Sequence, residues 1–335
     1  MTIQSDLIKI EMETAVPGLT FRHFRGEEDI PAMVDIVNRS NAVDNKDWVR
    51  TVEGLTNSYR HLTNCDIQKD MAIALVHGEM VGYSRCWWEV QLDETYRYIH
   101  VAMVHPAWRD NEIRQALLQF NETRLRQIAA THPVTSNKWL AAFANETETH
   151  WSGLLESANY QPARYFMGMI RPSLDNIPTV PVPAGIELRR GTLAEWRQIW
   201  EACREAFRDH WGESEWGEEE FDEWTNHPNF DPELFQIGWD GDEVAGGVCN
   251  YISKAENEKN GRLRGYTEDI FVRRPWRKRG LAKALIARSF QILKEQGMTE
   301  AALTVDAENT TGAMQLYTDM GFQKEKMSVT YHKAI

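Results

Sequence analysis

The sequence predicts an α+β protein built from one module written twice, as two tandem domains, each a mixed, largely antiparallel sheet flanked by helices. Three observations carry that expectation. A proline-crowded stretch divides the chain near its middle; four segments of the first half recur in the second at a nearly constant offset; and in both halves the two-residue repeat of strands and the 3.6-residue repeat of helices alternate in the same order. The 335 residues also exceed the size at which one hydrophobic core usually stops growing.

The divider is Arg171 to Gly185, where Pro172, Pro178, Pro181 and Pro183 exclude both a helix and a central strand and favour an extended connector. The expected domains are therefore residues 1–170 and 186–335, joined by a linker over 171–185. Leu19 to Gly26 leads into a helical stretch from Ile30 to Asn38, as Ile186 to Gly191 leads into Glu195 to Phe207. Two hairpins follow, Ala72 to Val76 with Val81 to Trp88 across His77-Gly78, and Leu234 to Trp239 with Glu243 to Tyr251 across Asp240-Gly241-Asp242, each with a glycine for the turn. Strand Ile99 to Val104, Pro106-Ala107-Trp108 and helix Ile113 to Ala129 parallel strand Glu268 to Val272, Pro275-Trp276 and helix Leu281 to Gln296, with Trp108 and Trp276 standing 168 residues apart. Last, Leu155 to Tyr160 before strand Arg164 to Ile170 parallels Tyr317 to Phe322 before strand Met327 to His332, at an offset of 162. Trp87, Trp88, Trp196 and Trp200 fall on core positions of these elements.

Composition bounds the function. Thirty-seven Lys and Arg against fifty Asp and Glu leave a net charge of −13, a field that repels polyanions, so nucleic acid is not an expected partner. Cys65, Cys86, Cys203 and Cys249 form no close pair of the metal-ligand or redox kind, which fits a reducing cytoplasm. Met1 to Glu13 carries no apolar targeting core, and no stretch approaches the roughly 18 apolar residues of a membrane span. A cytoplasmic protein with no membrane partner and no metal, monomeric or homodimeric, is expected.

One segment reverses the overall sign. Arg273, Arg274, Arg277, Lys278 and Arg279 put five cations within seven residues, between the strand ending at Val272 and the helix beginning at Leu281. Gly280 lets the backbone turn and approach a ligand, Ala282 leaves room, and the unpaired N–H groups of the first helical turn point at an anion placed there. A basic run alone reads as a solvated turn; a glycine in that run, between strand and helix, reads as a phosphate cradle.

These residues resemble the signature of the GNAT superfamily of acyl-CoA-dependent N-acyltransferases, Gln/Arg-x-x-Gly-x-Gly/Ala, here Arg277-x-x-Gly280-x-Ala282. A second family signature appears as Asn309, Tyr317 and Gly321-Phe322, and Glu268-Asp269-Ile270-Phe271-Val272 is similar to the acidic-aromatic strand of small-amine members. The resemblance covers residues 186–335 by motif and the first half by topology. It implies acetyl-CoA as acyl donor, with main-chain groups of Ile270, Phe271 and Val272 along the pantetheine arm, Arg277, Lys278, Arg279, Gly280, Leu281 and Ala282 around the pyrophosphate, and Asn309 on the pantetheine. Tyr317 would donate a proton to the leaving thiolate. Without the spacing from Asn309 it would read as a core aromatic.

Glu268 is the candidate general base, since an ammonium acceptor must lose its proton before attack. Asp269 is the rival. On a regular strand the two carboxylates point to opposite faces, so only one looks into the site. In the first half Glu112 and Arg114 stand where the glycine and the small residue belong, and Leu155 where the tyrosine belongs. That half is expected to lack catalysis, to bind no acyl-CoA, and to complete the fold or wall the acceptor site.

For the acceptor, seven acids between residues 213 and 223 interleave with tryptophans. Trp211, Glu215 and Trp216 are the candidate ligands of a small cationic amine; the other reading is a solvated acidic helix with inward tryptophans. His210, with no identified partner, is read as structural. The expected reaction is acetyl transfer to a primary amine by direct attack in a ternary complex. The alternatives are an acyl-CoA-binding sensor or scaffold without turnover, and an acetyltransferase of protein lysines or N-termini.

Overall fold

The computed structural model describes residues 7–10, 15–134, 137–309 and 312–335. The chain forms two compact units, one of residues 1–163 with 329–335 and one of residues 164–328. Both departures from the expected cut involve strands at the ends of the repeats. The segment from Arg164 pairs within the second unit, and the last seven residues pack in the first. Hydropathy marks a strand but not the sheet that takes it.

In the first unit the strands β1 (Leu7–Ile8), β2 (Leu19–Arg22), β3 (Met71–Val76), β4 (Glu79–Val90), β5 (Tyr96–Val104) and β6 (Lys138–Asn145) follow one another in the sheet in chain order. All neighbours are antiparallel except β5 and β6, which run parallel. Helices α1 (Ile30–Val43) and α2 (Val52–Arg60) cover one apolar cluster around Met33, Ile36 and Ile73. Helix α3 (Ile113–Ala129) and α4 (Thr149–Ser157) cover another around Leu117, Leu140 and Trp151. Trp87 and Trp88, expected in the core, are half-buried.

The second unit repeats the plan. Strand β7 (Gln161–Arg171), from Arg164 onward, pairs antiparallel with β12 (Glu300–Asp306), and the order continues through β11 (Arg264–Val272), β10 (Glu243–Tyr251), β9 (Gln236–Asp240) and β8 (Glu187–Arg190). Helix α8 (Leu281–Glu295) buries Leu285, Phe290 and Leu293 against one face, and α5 (Trp196–Phe207) buries Trp196 and Trp200, each 1% exposed, against the other. Shorter helices α6 (Glu218–Thr225), α7 (Lys254–Asn260) and α9 (Ala313–Asp319) complete it before β13 (Gln323–Ala334). Thr311, the expected start of α9, lies outside the described residues, as do parts of the segment Met1 to Glu13. The proline-rich stretch has no regular structure, yet it is no free connector, because Leu174 is buried in the second core with Ile177 and Val180 packed on it.

Candidate active site

Two irregularities of the second sheet create its cavity. Strands β11 and β12 share rungs only from Arg264–Glu300 to Tyr266–Ala302, after which β12 stays with β7 as far as Asp306 and β11 stays with β10. Within the β10–β11 pair the register slips: Cys249 faces Glu268 and Gly247 faces Phe271, so Val248 alone opposes Asp269 and Ile270. The extra residue is a β-bulge, and it puts Asp269 at φ 45°, a left-handed conformation that costs a non-glycine residue energy and marks functional sites. Gly247 accommodates the bulge, since a Cβ there would lie 2.7 Å from the Phe271 ring.

The diverging strands open a cavity of about 890 Å³. The bulge cancels the alternation expected of the two carboxylates: Glu268 and Asp269 both line this cavity. A Glu268 carboxylate oxygen accepts the Thr304 N–H at 3.0 Å, so this side chain bridges the gap where the backbone ladder has ended. Burial holds the Glu268 carboxyl well above the usual range, with Asp269 adding to the effect and the Thr304 hydrogen bond opposing it. Asp269 is pushed up to about 7, first by burial and then by the Glu213 carboxylate.

Beside the cavity, α8 begins at Gly280, whose φ of 85° and ψ of 2° suit glycine, and a Cβ there would meet nothing within 4 Å. The open space, Lys278 and Lys283 on the wall, and the unpaired first-turn amides of a 15-residue helix fit a pyrophosphate. Ile270, Phe271, Val272, Arg277, Lys278, Gly280, Leu281, Ala282, Asn309 and Tyr317 all line the cavity. Arg279 does not; its guanidinium donates to the Ala184 carbonyl at 2.9 Å. The Arg277 side chain is also engaged, donating to the carbonyl of Val272 at 2.8 Å and to Asp209 at 2.6 Å.

Tyr317 is 8% exposed on α9 and packs against Phe322 with ring centres 6.0 Å apart. Burial, and then Glu268, raise its pKa. An ordinary tyrosine, near 10, is already a weaker acid than a thiol near 8.5, and the shift widens that difference. The hydroxyl therefore suits hydrogen-bond donation to a developing thiolate better than full proton transfer.

The same cavity is lined by His210, Trp211, Glu213, Asp306 and Phe166. Trp211 has the Arg164 guanidinium 5.3 Å from its ring centre and Phe166 at 6.4 Å, and Arg164 itself is fixed by two bonds to Asp306 at 2.9 and 2.6 Å. Two of the three sequence-derived acceptor residues are elsewhere. Glu215 pairs with Arg208 at 3.3 Å and Arg204 at 3.8 Å. Trp216 packs among Trp200, Phe207 and Trp224 and donates to Glu213 at 2.5 Å. Sequence reasoning missed Glu213 and Asp306 as lining groups. It also missed Phe166, which precedes the proline stretch yet sits opposite Asp306 in the β7–β12 ladder.

The equivalent gap of the first unit, where β5 and β6 part after Ile99–Ala141, is filled by side chains. Arg114, 3% exposed, donates from Nε to the Ala102 carbonyl at 2.9 Å and lies 4.3 Å from the Trp151 ring centre. Asn121 donates to the Val101 carbonyl at 3.0 Å, and a buried Lys46–Glu148 pair at 2.8 Å stands nearby in the same unit. Leu155 is fully buried.

Residues 195–322 match the Acetyltransferase (GNAT) family. That match and the relatives below make the chain an acyltransferase, and its fold is that of two GNAT units in tandem; GNAT acetyltransferases use acetyl-CoA. Among curated relatives it is 24% identical over 269 residues to a mycothiol acetyltransferase of Geodermatophilus obscurus, covering 79% of this chain and 82% of that one. It is 29% identical over 231 residues to the mycothiol acetyltransferase of Salinispora tropica, covering 68% and 70%. Among solved structures, a GCN5-related N-acetyltransferase from Sphaerobacter thermophilus superposes with a TM-score of 0.71 at 24% identity over 96% of this chain and 97% of that one. A tandem GNAT protein from the clavulanic acid biosynthesis pathway gives 0.70 at 13% identity over 94% and 98%. At these identities the two structures speak for the fold alone.

Proposed function

We propose that the protein transfers an acetyl group from acetyl-CoA to the primary amine of a small cationic molecule, by direct attack in a ternary complex held by the second unit. The observation that carries this reading is the presence of basic and acidic groups in the lining of one cavity. Lys278, Lys283 and a helix N-terminus line it, suited to a phosphate, and so do Glu268, Asp269, Glu213 and Asp306 with Trp211 and Phe166, suited to an ammonium. The relatives named mycothiol acetyltransferase support acetyl as the group moved. Acetyl-CoA supplies an activated thioester; everything else falls to the chain.

In this reading the acceptor enters as an ammonium, attracted by the carboxylates and the aromatic faces. Asp269 takes its proton, because a base with a pKa near the working pH is the most effective. Glu268, tied to Thr304, spans the gap between the strands and shares the titration of the pair. The freed amine attacks the thioester carbonyl, a C–N bond forms, the C–S bond breaks, and the proton the nitrogen sheds as it becomes an amide ends on the departing sulfur, which leaves as the CoA thiol. Tyr317 holds the leaving sulfur by a hydrogen bond. The first unit binds no acyl-CoA, since Arg114 already occupies its gap.

The test is thiol release from acetyl-CoA with spermidine, glucosamine and glutamate as acceptors. The cationic amines should exceed glutamate in kcat/KM by at least about tenfold, a like-charge penalty of about 1.4 kcal/mol. Absence of thiol release with every amine, or preference for glutamate, would overturn the reading.

A further inference from the structure

The acceptor wall and the cofactor turn are joined through one carboxylate. Helix α5 ends at Phe207, and the segment that follows supplies His210, Trp211 and Glu213 to the cavity. Asp209 immediately precedes them and lines the same cavity. Its carboxylate accepts from Arg277 Nη1 at 2.6 Å, from Arg274 Nε at 3.2 Å and from Arg274 Nη2. Arg274 belongs to the short helix Arg274–Trp276 at the start of the basic turn. Arg277 additionally donates to the Val272 carbonyl at the end of β11, at 2.8 Å, and to the Ala206 carbonyl in α5, at 3.4 Å. Thus one acidic side chain and two guanidiniums knit the end of the catalytic strand, the end of α5 and the turn that leads to Gly280.

Two basic side chains beside a phosphate cradle are expected to be phosphate ligands. Here they are bound to an internal anion, which leaves the cradle's amides and Lys278 for the cofactor. Asp209 is held well below the usual carboxylate range by Arg274 and Arg277, so the clasp stays charged at every pH at which the protein works. Beyond it, the segment contains Gly212 at φ 73° and a tryptophan that remains 37% exposed.

We propose that Asp209 is a positioning residue for the acceptor: it fixes the wall formed by His210, Trp211 and Glu213 against the cofactor turn, and so sets acceptor affinity without touching the reacting atoms. This rests on the acyltransferase reading above, but it is tested separately by a readout that needs no turnover. In full-length Asp209→Asn, amide hydrogen exchange over residues 208–216 should speed up at least about fivefold while the core of the unit is unchanged. With spermidine or glucosamine, whichever the wild type acetylates, the acceptor KM should rise about tenfold or more. The Kd for acetyl-CoA by calorimetry should stay within about threefold, since the cradle's own donors are intact. Asp209→Glu, which keeps the charge, should recover part of the acceptor KM, and it stands in should the asparagine variant fail to fold. Unchanged exchange over 208–216 would overturn the proposal, as would a weakened acetyl-CoA complex with an unaltered acceptor KM. A wild type that acetylates no amine would sink the acyltransferase reading and leave the exchange result to decide the role of Asp209.

Discussion

Asp269→Asn is expected to make the protein more stable and nearly inactive at the same time. Folding raises the carboxyl from its ordinary 3.8 to about 7, through burial and the neighbouring Glu213. The folded protein therefore holds this proton more tightly than the unfolded chain, and stability is lost as the pH climbs from about 4 to about 7. Fully developed, the penalty is about 4 kcal/mol; at pH 5.5 it is about 2 kcal/mol. Asparagine matches aspartate in shape, is one of the few residues that tolerate a positive φ, and carries no titrating proton. The variant should gain at least about 2 kcal/mol at pH 8.5, or about 4–8 °C in thermal midpoint for a domain of this size. The gain should shrink by about half at pH 5.5. Scanning calorimetry of the unliganded protein at the two pH values reads both numbers. Turnover should fall by about 10²–10⁴-fold, the usual worth of a general base, and the acidic limb of the wild-type pH–rate profile, centred near 7, should disappear. Loss of stability at pH 8.5, or a gain that does not grow with pH, would refute the reasoning.

Tyr317→Phe should lower kcat with acetyl-CoA by about 10²-fold while the Kd for acetyl-CoA changes by less than about threefold, because the hydroxyl acts on charge that develops only as the C–S bond breaks; paired steady-state and calorimetric measurements distinguish this from a packing defect. Arg114→Ala should cost the first unit about 2–4 kcal/mol, through a vacated space, an unpaired Ala102 carbonyl and a buried Glu148 with one cation fewer, read as faster hydrogen exchange in α3 and β5 with the second unit unchanged.

The architecture was legible because duplication writes the same turns, tryptophans and apolar periods at offsets of 162 to 168 residues, and those features depend on local chemistry. That Gly280 and Ala282 line the cavity agrees with a local signal of the same kind, small residues at the fixed spacing a phosphate turn would need. Asp269 could not. The alternation rule assigns its side chain to the face opposite Glu268, and no glycine at 269 announces the bulge that brings both into one cavity. Nor could the tertiary partners of charged residues be read. Glu215 and Trp216 sit in the same acidic, aromatic segment as Glu213, but arginines on α5 and its end take the first and the tryptophan-rich core takes the second. Phe166 escaped notice because a strand of the first repeat pairs with β12, a long-range choice that no local pattern encodes.

The central claim is that this chain has one acyl-CoA site and that it lies at Gly280. Calorimetric titration of acetyl-CoA into the wild type and into Gly280→Glu tests it most directly, because the substitution installs the carboxylate that the first unit carries at Glu112. One site per chain, abolished in the variant, is the predicted result. Two sites per chain, no binding by the wild type, or undiminished binding by Gly280→Glu would contradict it.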